Sequence, residues 1–341
     1  MIHHRTLGRT GLKVSQLSLG TMNFGWRTDE ATSFAILDTF YAAGGNFLQA
    51  AAILPALTLP TISTSASEEM IGRWMTSRRI PRRDLVLGTR INIRPPRSTG
   101  MSLGQLVSER VNDSMRRLNT DYLDLVIFEW NDRLLPLERA LEAFDVAVRQ
   151  CYVRYIGAAN FPTWRVVDSI ALAFRRNQPR MEVLQGDYSL MQRARFEPEA
   201  MSLCEERKLG FIASAPLARG FLTRKPTRET DLISSARHWL HRRFENSYGD
   251  AALAALDAVA ARHDASFAQI ALAWVLANRT VTSALVGVRS SAELQELIRG
   301  AELQLSTDDL RQLSSATAAE EVLVPDNLLP NRPTQTELLA N

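Results

Sequence analysis

Eight short apolar runs recur along this chain, nearly all followed by a stretch with helical spacing, and that alternation limits the fold more than any other feature. The runs are Leu17–Leu19, Asn46–Gln49, Leu85–Thr89, Leu123–Phe128, Val153–Ala158, Val183–Gln185, Phe211–Ala213 and Ala284–Val286. Most lack polar alternation, as expected of parallel strands covered on both faces. Helical spacing is read at Glu68–Met75, Leu103–Leu118, Leu137–Gln150, Thr163–Phe174, Glu197–Arg207, Ala251–His263, Phe267–Ala277 and Ala292–Gly300. A further helix opens at Thr28, with Phe34, Leu37, Phe40 and Tyr41 as its expected apolar face and Asp38 pointing away.

Eight strands alternating with helices predict an α/β fold, a closed (β/α)8 barrel of the TIM type, in preference to an open doubly wound sheet. No G-x-G-x-x-G follows an early strand, which weighs against the open alternative. Residues 5–14, with Gly8 and Gly11 at the turn, predict a hairpin ahead of the barrel. One domain is expected over residues 1–341, the stretch 316–341 being a C-terminal extension rich in acidic residues, then in Pro, Asn and Thr.

Forty basic residues against 37 acidic ones give a net charge of only +3. Short arginine pairs occur without interleaved aromatics, so a nucleic-acid partner is not expected. Cys151 and Cys204 form no metal or redox motif, no metal site is expected, and both thiols read as buried or half-buried fillers in a reducing compartment. The start lacks a signal-peptide pattern and no run of about 18 apolar residues exists, so a cytoplasmic protein without a membrane partner is expected.

Several motifs in order carry a resemblance. They are LGRTGLKVS (7–15), LGTMNFG (19–25), SEEMIGRW (67–74), SMRRLNTDYLDL (114–125), YIGAANF (155–161), APLARGFLT (215–223) and VGVRS (286–290). Together they resemble the aldo-keto reductase superfamily over nearly the whole chain. The resemblance implies a (β/α)8 barrel and NADPH-dependent carbonyl reduction by four strand-end residues. In that scheme a tyrosine donates the proton, a lysine tunes it, an aspartate holds the lysine and a histidine orients the substrate.

In this sequence those positions are all changed. The aspartate position is Gln49, the tyrosine position Leu54, the lysine position Arg90 and the histidine position Glu129. Leucine has no proton to give, and an arginine stays cationic at any working pH. General-acid help is worth about 10²–10⁴ in rate, so ordinary reduction by this tetrad is not expected. The resemblance also implies cofactor contacts by Asn160, Gln185 and Tyr188 at the nicotinamide, and by Arg289 and Ser290 at the adenosine 2′-phosphate. Ala159, Leu297 and Arg224 depart from the pattern, so NADPH binding stays open.

The residues left to carry chemistry are Glu129 as acid or base, Arg90 as a fork for a carbonyl, enolate or carboxylate oxygen, and Asp187 as a second carboxylate. Arg90 and Glu129 end neighbouring strands, and a space-filling ion pair is their plain alternative. The loop after Leu54 (residues 55–63) carries no charge, and Phe24, Trp26 and Trp130 lie near strand ends. With Gln49 and Leu54 they suggest an apolar substrate pocket, although packing is the commoner fate of such aromatics. Three readings follow. One is a non-redox cyclase, isomerase or lyase acting on an apolar small molecule. Another is a non-catalytic member that binds a ligand or a protein partner. The third is an NADPH-dependent oxidoreductase with a different proton donor.

Overall fold

The computed structural model describes residues 1–51, 65–91, 93, 100–129, 136–194, 196–223 and 243–318. Its strands are β1 (His4–Thr6), β2 (Lys13–Ser15), β3 (Leu17–Gly20), β4 (Phe47–Ala51), β5 (Val86–Ile91), β6 (Leu123–Glu129), β7 (Val153–Ala159), β8 (Met181–Asp187), β9 (Gly210–Ser214) and β10 (Val281–Val286). β1 and β2 form the expected antiparallel hairpin, with Arg5 opposite Val14. β3 to β10 pair in chain order and β10 closes onto β3, giving an eight-stranded barrel whose recorded pairs are all parallel. This is the (β/α)8 architecture.

Most barrel strands contribute to two cores because successive side chains point to opposite faces. Phe47, Val86, Leu125, Ile127, Ala159, Val183 and Ile212 form a compact cluster inside the barrel. Their outward neighbours, including Leu48, Leu87, Val126, Ala158, Leu184 and Phe211, join the larger core under the surrounding helices. The hairpin seals the bottom: Leu7 and Val14 belong to the inner cluster, and the Tyr155 hydroxyl donates to the Thr10 carbonyl at 2.6 Å. Asn46 ties the hairpin to β4, accepting from the Ser15 amide and donating to the Lys13 carbonyl, both at 2.8 Å. Gly8 is required here. Its φ is +52°, and a Cβ would lie 2.4 Å from the Gly210 nitrogen.

The helices largely follow expectation, with informative departures. The first runs Glu30–Ala42, capped by Asp29, whose side chain accepts from the Thr32 amide. It buries Ile36, Leu37 and Phe40, while Phe34 sits at the rim under the Arg78 guanidinium, 5.6 Å from the ring centre. Asp38 is held by the Trp74 indole at 2.8 Å and by Arg78. The helix expected from Glu197 begins as a π-turn (Phe196–Ala200) before becoming α-helical at Met201–Arg207. A helix not anticipated, Thr307–Ala316, is capped by Ser306 and packs through Leu313. Cys204 is buried as expected, its thiol pushed up to about 12 by desolvation; Cys151, in contrast, is exposed, because it lies in a turn with positive φ just before β7. Among the described residues no helix is long and apolar enough to cross a membrane.

Candidate active site at the barrel mouth

With the bottom closed by the hairpin, the open end lies at the carboxyl ends of the strands, where barrel enzymes carry their chemistry. Two-residue alternation decides what faces inward there. On β4 the inward series continues from Phe47 to Gln49, and on β8 from Val183 to Gln185. β4 and β8 are four strands apart in a barrel of eight, hence on opposite walls. Gln49 Nε2 donates to Gln185 Oε1 at 2.8 Å across the lumen. Both residues are almost fully buried, at 5% and 3% exposure. This amide bridge is the floor of the mouth, lying over the inner apolar cluster.

The position that the family resemblance assigns to a lysine-holding aspartate therefore carries a neutral side chain bonded to the opposite wall. Arg90 is half-buried on β5, level with Ala51 on one side and Ile127 on the other. Glu129 ends β6 and pairs with Ala159, which pairs with Gln185. Two strand spacings thus separate the backbones of Glu129 and Gln185, about 10 Å. Measured along β6, Glu129 lies two residues beyond the level of Arg90, about 6.6 Å toward the mouth. The side chain of Glu129 is outside the described set, as are Leu54, Trp130 and the uncharged loop at 55–63.

The other expected site residues divide. Asp187 ends β8 on the inward face, but its carboxylate already accepts from Ser214 Oγ at 2.8 Å, Arg219 Nη2 at 2.9 Å and Gln192 Nε2 at 3.2 Å. That arrangement anchors the turn after β9, where Ala218, Arg219 and Gly220 all have positive φ. Trp26 is half-buried in the loop after β3, with the Arg27 guanidinium 4.7 Å from its ring centre. Phe24 is not a pocket residue: it is buried in the outer core.

Tyr188, expected to stack on a nicotinamide, is instead packed on the outside of the barrel. Its ring lies against Phe196 and Trp274, with centroids 4.7 and 5.4 Å away. Its hydroxyl donates to Glu197 and accepts from Asn278, and burial raises its pKa. The reason is parity: one residue beyond inward-facing Asp187, the side chain turns outward.

Asn160 is exposed with φ +58°, and its backbone N–H donates to the Gln185 backbone carbonyl at 2.9 Å. Arg289 has an exposed side chain, and its backbone N–H donates to Glu293 at 2.8 Å. Ser290 caps the helix Ser291–Glu302 by accepting from the Glu293 amide. For a dinucleotide, the fit is divided. Arg289 could pair with a phosphate, whereas at the nicotinamide end the Gln185 side-chain carbonyl already holds Gln49 and the Tyr188 ring is enclosed. No group of acidic, histidine or cysteine side chains suited to a metal ion occurs among the described residues.

Behind the wall, Thr89, the neighbour of Arg90, points outward and donates to fully buried Glu68 at 2.6 Å. Arg117 pairs with the same carboxylate at 2.6 Å. This triad, with Glu68 and Thr89 fully buried and Arg117 half-buried, fixes the strand that carries Arg90.

The profile of the family described as Aldo/keto reductase matches residues 16–318. The chain belongs to the aldo/keto reductase family. It is 33% identical over 324 residues to the uncharacterized oxidoreductase YrpG of Bacillus subtilis, covering 90% of this chain and 94% of that protein. It is 29% identical to the norsolorinic acid reductase of Aspergillus flavus over 98% of this chain and 86% of that one. Protein tas of Escherichia coli is 29% identical, with 92% and 97% covered.

The amide bridge escaped sequence reasoning, as did the partners of Asp187. A signal did exist: Gln49 and Gln185 are polar residues at inward positions of otherwise apolar strands, and an amide inside a barrel needs a partner.

Proposed function

We propose that this family member is a non-redox enzyme that moves a proton on an apolar small molecule. The observation that carries the reading is the Gln49–Gln185 bond. It engages the neutral Gln49 amide with the far wall, and the family resemblance assigns that position to the carboxylate that holds the lysine in carbonyl reduction. The sequence adds Leu54 where the phenol is expected and Arg90 where the lysine is expected.

In this reading Glu129 is the acid–base group. Its carboxylate takes a proton from the carbon next to a substrate carbonyl, and the C–H electron pair moves toward the carbonyl oxygen. The Arg90 guanidinium pairs with the negative charge growing there. The carboxylic acid then returns the proton at a conjugated carbon, so the double bond shifts and no oxidant or reductant is consumed. Asp187, with three donors on its carboxylate, holds the adjacent turn. Ala51 and Ala159 beside the polar floor keep the mouth open to an apolar substrate body.

The test uses β,γ-unsaturated cyclic ketones in D2O without nucleotide, following deuterium entry and double-bond migration by mass spectrometry and NMR. Wild-type protein is expected to catalyse both, and Glu129→Gln to lose about 10²–10⁴ in rate while remaining folded. Equal rates in the variant would remove Glu129 from the mechanism.

A second reading, an NADPH-dependent oxidoreductase with a different proton donor, is favoured by the names of the relatives and by Arg289. Fluorescence titration with NADPH, followed by its oxidation in the presence of carbonyl compounds, decides between the two. Turnover of NADPH supports this second reading, and absence of binding rejects it.

A further inference from the structure

The floor of the mouth contains a hydrogen-bond acceptor with nothing to accept from. Gln49 uses its Nε2 on Gln185, yet its Oε1 is buried and has no partner among the described residues. Such a carbonyl is destabilising unless something supplies a donor. Among the described residues, none donates to it. The residues beside Gln49 on the flanking strands are Gly20 and Gly88, and the next inward position on β4 is Ala51. Below lies the apolar cluster sealed by the hairpin. Ser18, two residues before Gly20 on β3, has its own hydroxyl buried and unpartnered.

We propose that Gln49 Oε1 is the recognition point for the leading end of the ligand, accepting a hydrogen bond from a neutral hydroxyl or amide N–H. The ligand class is therefore an apolar molecule tipped by a neutral donor, such as a phenol, an enol or a lactam. A site built around a polar contact rejects analogues that lack the matching group, because the site's own atom is left unpaired. Gln185 acts as the positioning residue, since its bond to Nε2 fixes which end of the Gln49 amide is left over. This inference rests on the mouth being a small-molecule site, and it adds that an acceptor at residue 49 selects the ligand.

The test compares 1-naphthol with 1-methoxynaphthalene, which share an apolar body and differ in the donor. Binding to the full-length protein is measured by calorimetry and saturation-transfer NMR. Wild-type protein is expected to prefer 1-naphthol at least tenfold. Gln49→Met should bring the two within about twofold, largely by weakening naphthol, while Gln49→Glu, which keeps acceptor oxygens, should retain the preference. Thermal unfolding of each variant checks that it is folded. Equal binding of both probes to the wild type, or a preference unchanged in Gln49→Met, overturns the proposal and leaves buried water as the occupant. Tighter binding of the methoxy probe also overturns it, because the free end of the amide would then be a donor. Failure of both probes to bind at all rejects the pocket reading together with this inference.

Discussion

Replacing the two glutamines that span the lumen, singly and together, tests the central structural feature. Gln185→Met removes the acceptor and strands a 95%-buried Gln49 amide. It loses a net hydrogen bond worth about 0.5–1.5 kcal/mol and leaves a buried donor costing about 1–3 kcal/mol. The expected destabilisation is about 2–4 kcal/mol. Gln49→Met is milder, because the side chain it removes already carries an unsatisfied carbonyl, and that relief offsets the stranding of the Gln185 carbonyl. A net loss of about 1 kcal/mol is expected. In the double variant both polar ends are gone and two thioethers of similar volume fill the space, a change that is commonly neutral or stabilising. The cycle should therefore show a coupling of about 3–5 kcal/mol, at or above the top of the range usual for contacting residues. Urea denaturation is the assay, read as midpoint shifts at constant slope. Thermal midpoints are less sensitive, since a chain of this length moves only about 1.4 °C per kcal/mol. If the single changes sum to the double within about 0.3–0.5 kcal/mol, the amides do not interact and the floor described above does not exist.

Two further expectations concern buried carboxylates of the scaffold. Arg117→Leu leaves fully buried Glu68 with Thr89 as its remaining described partner and should cost about 3–5 kcal/mol; Glu68→Gln combined with Arg117→Met should recover most of that loss. Denaturation midpoints check both. Asp309 is penalised by burial, but hydrogen bonds from His263, Arg262 and Ser306 outweigh it and hold the carboxyl well below the usual carboxylate range. A depressed folded pKa means stabilisation that is full above the unfolded value near pH 4 and lost as pH falls below it. Asp309→Asn should cost about 1.5–3 kcal/mol at pH 7, with the gap to wild type narrowing steadily as pH falls below 4 in a series of melting curves; a gap as large at pH 2 as at pH 7 would refute the assignment.

The chain by itself determined the architecture. Short apolar runs with intervening helical spacing specify a parallel sheet covered on both faces, and eight of them close into a barrel because closure removes unpaired edges. The hairpin was legible from Gly8 and Gly11, and family membership was legible from the series of motifs in order. The helix Thr307–Ala316 went unread because its apolar face is narrow, with Leu313 its only fully buried apolar residue.

Only the tertiary structure decided which side chains meet. Gln49 and Gln185 are 136 positions apart, and no local pattern joins them. Their contact depends on strand order, closure and register, which bring opposite walls to the same height. The same register turns Tyr188 outward into an aromatic core while leaving Asp187, one residue earlier, on the inner face with three donors. A one-residue shift would exchange those roles, since side chains alternate with a period of two. Sequence names the residues available for chemistry; the barrel's register selects which of them face the lumen.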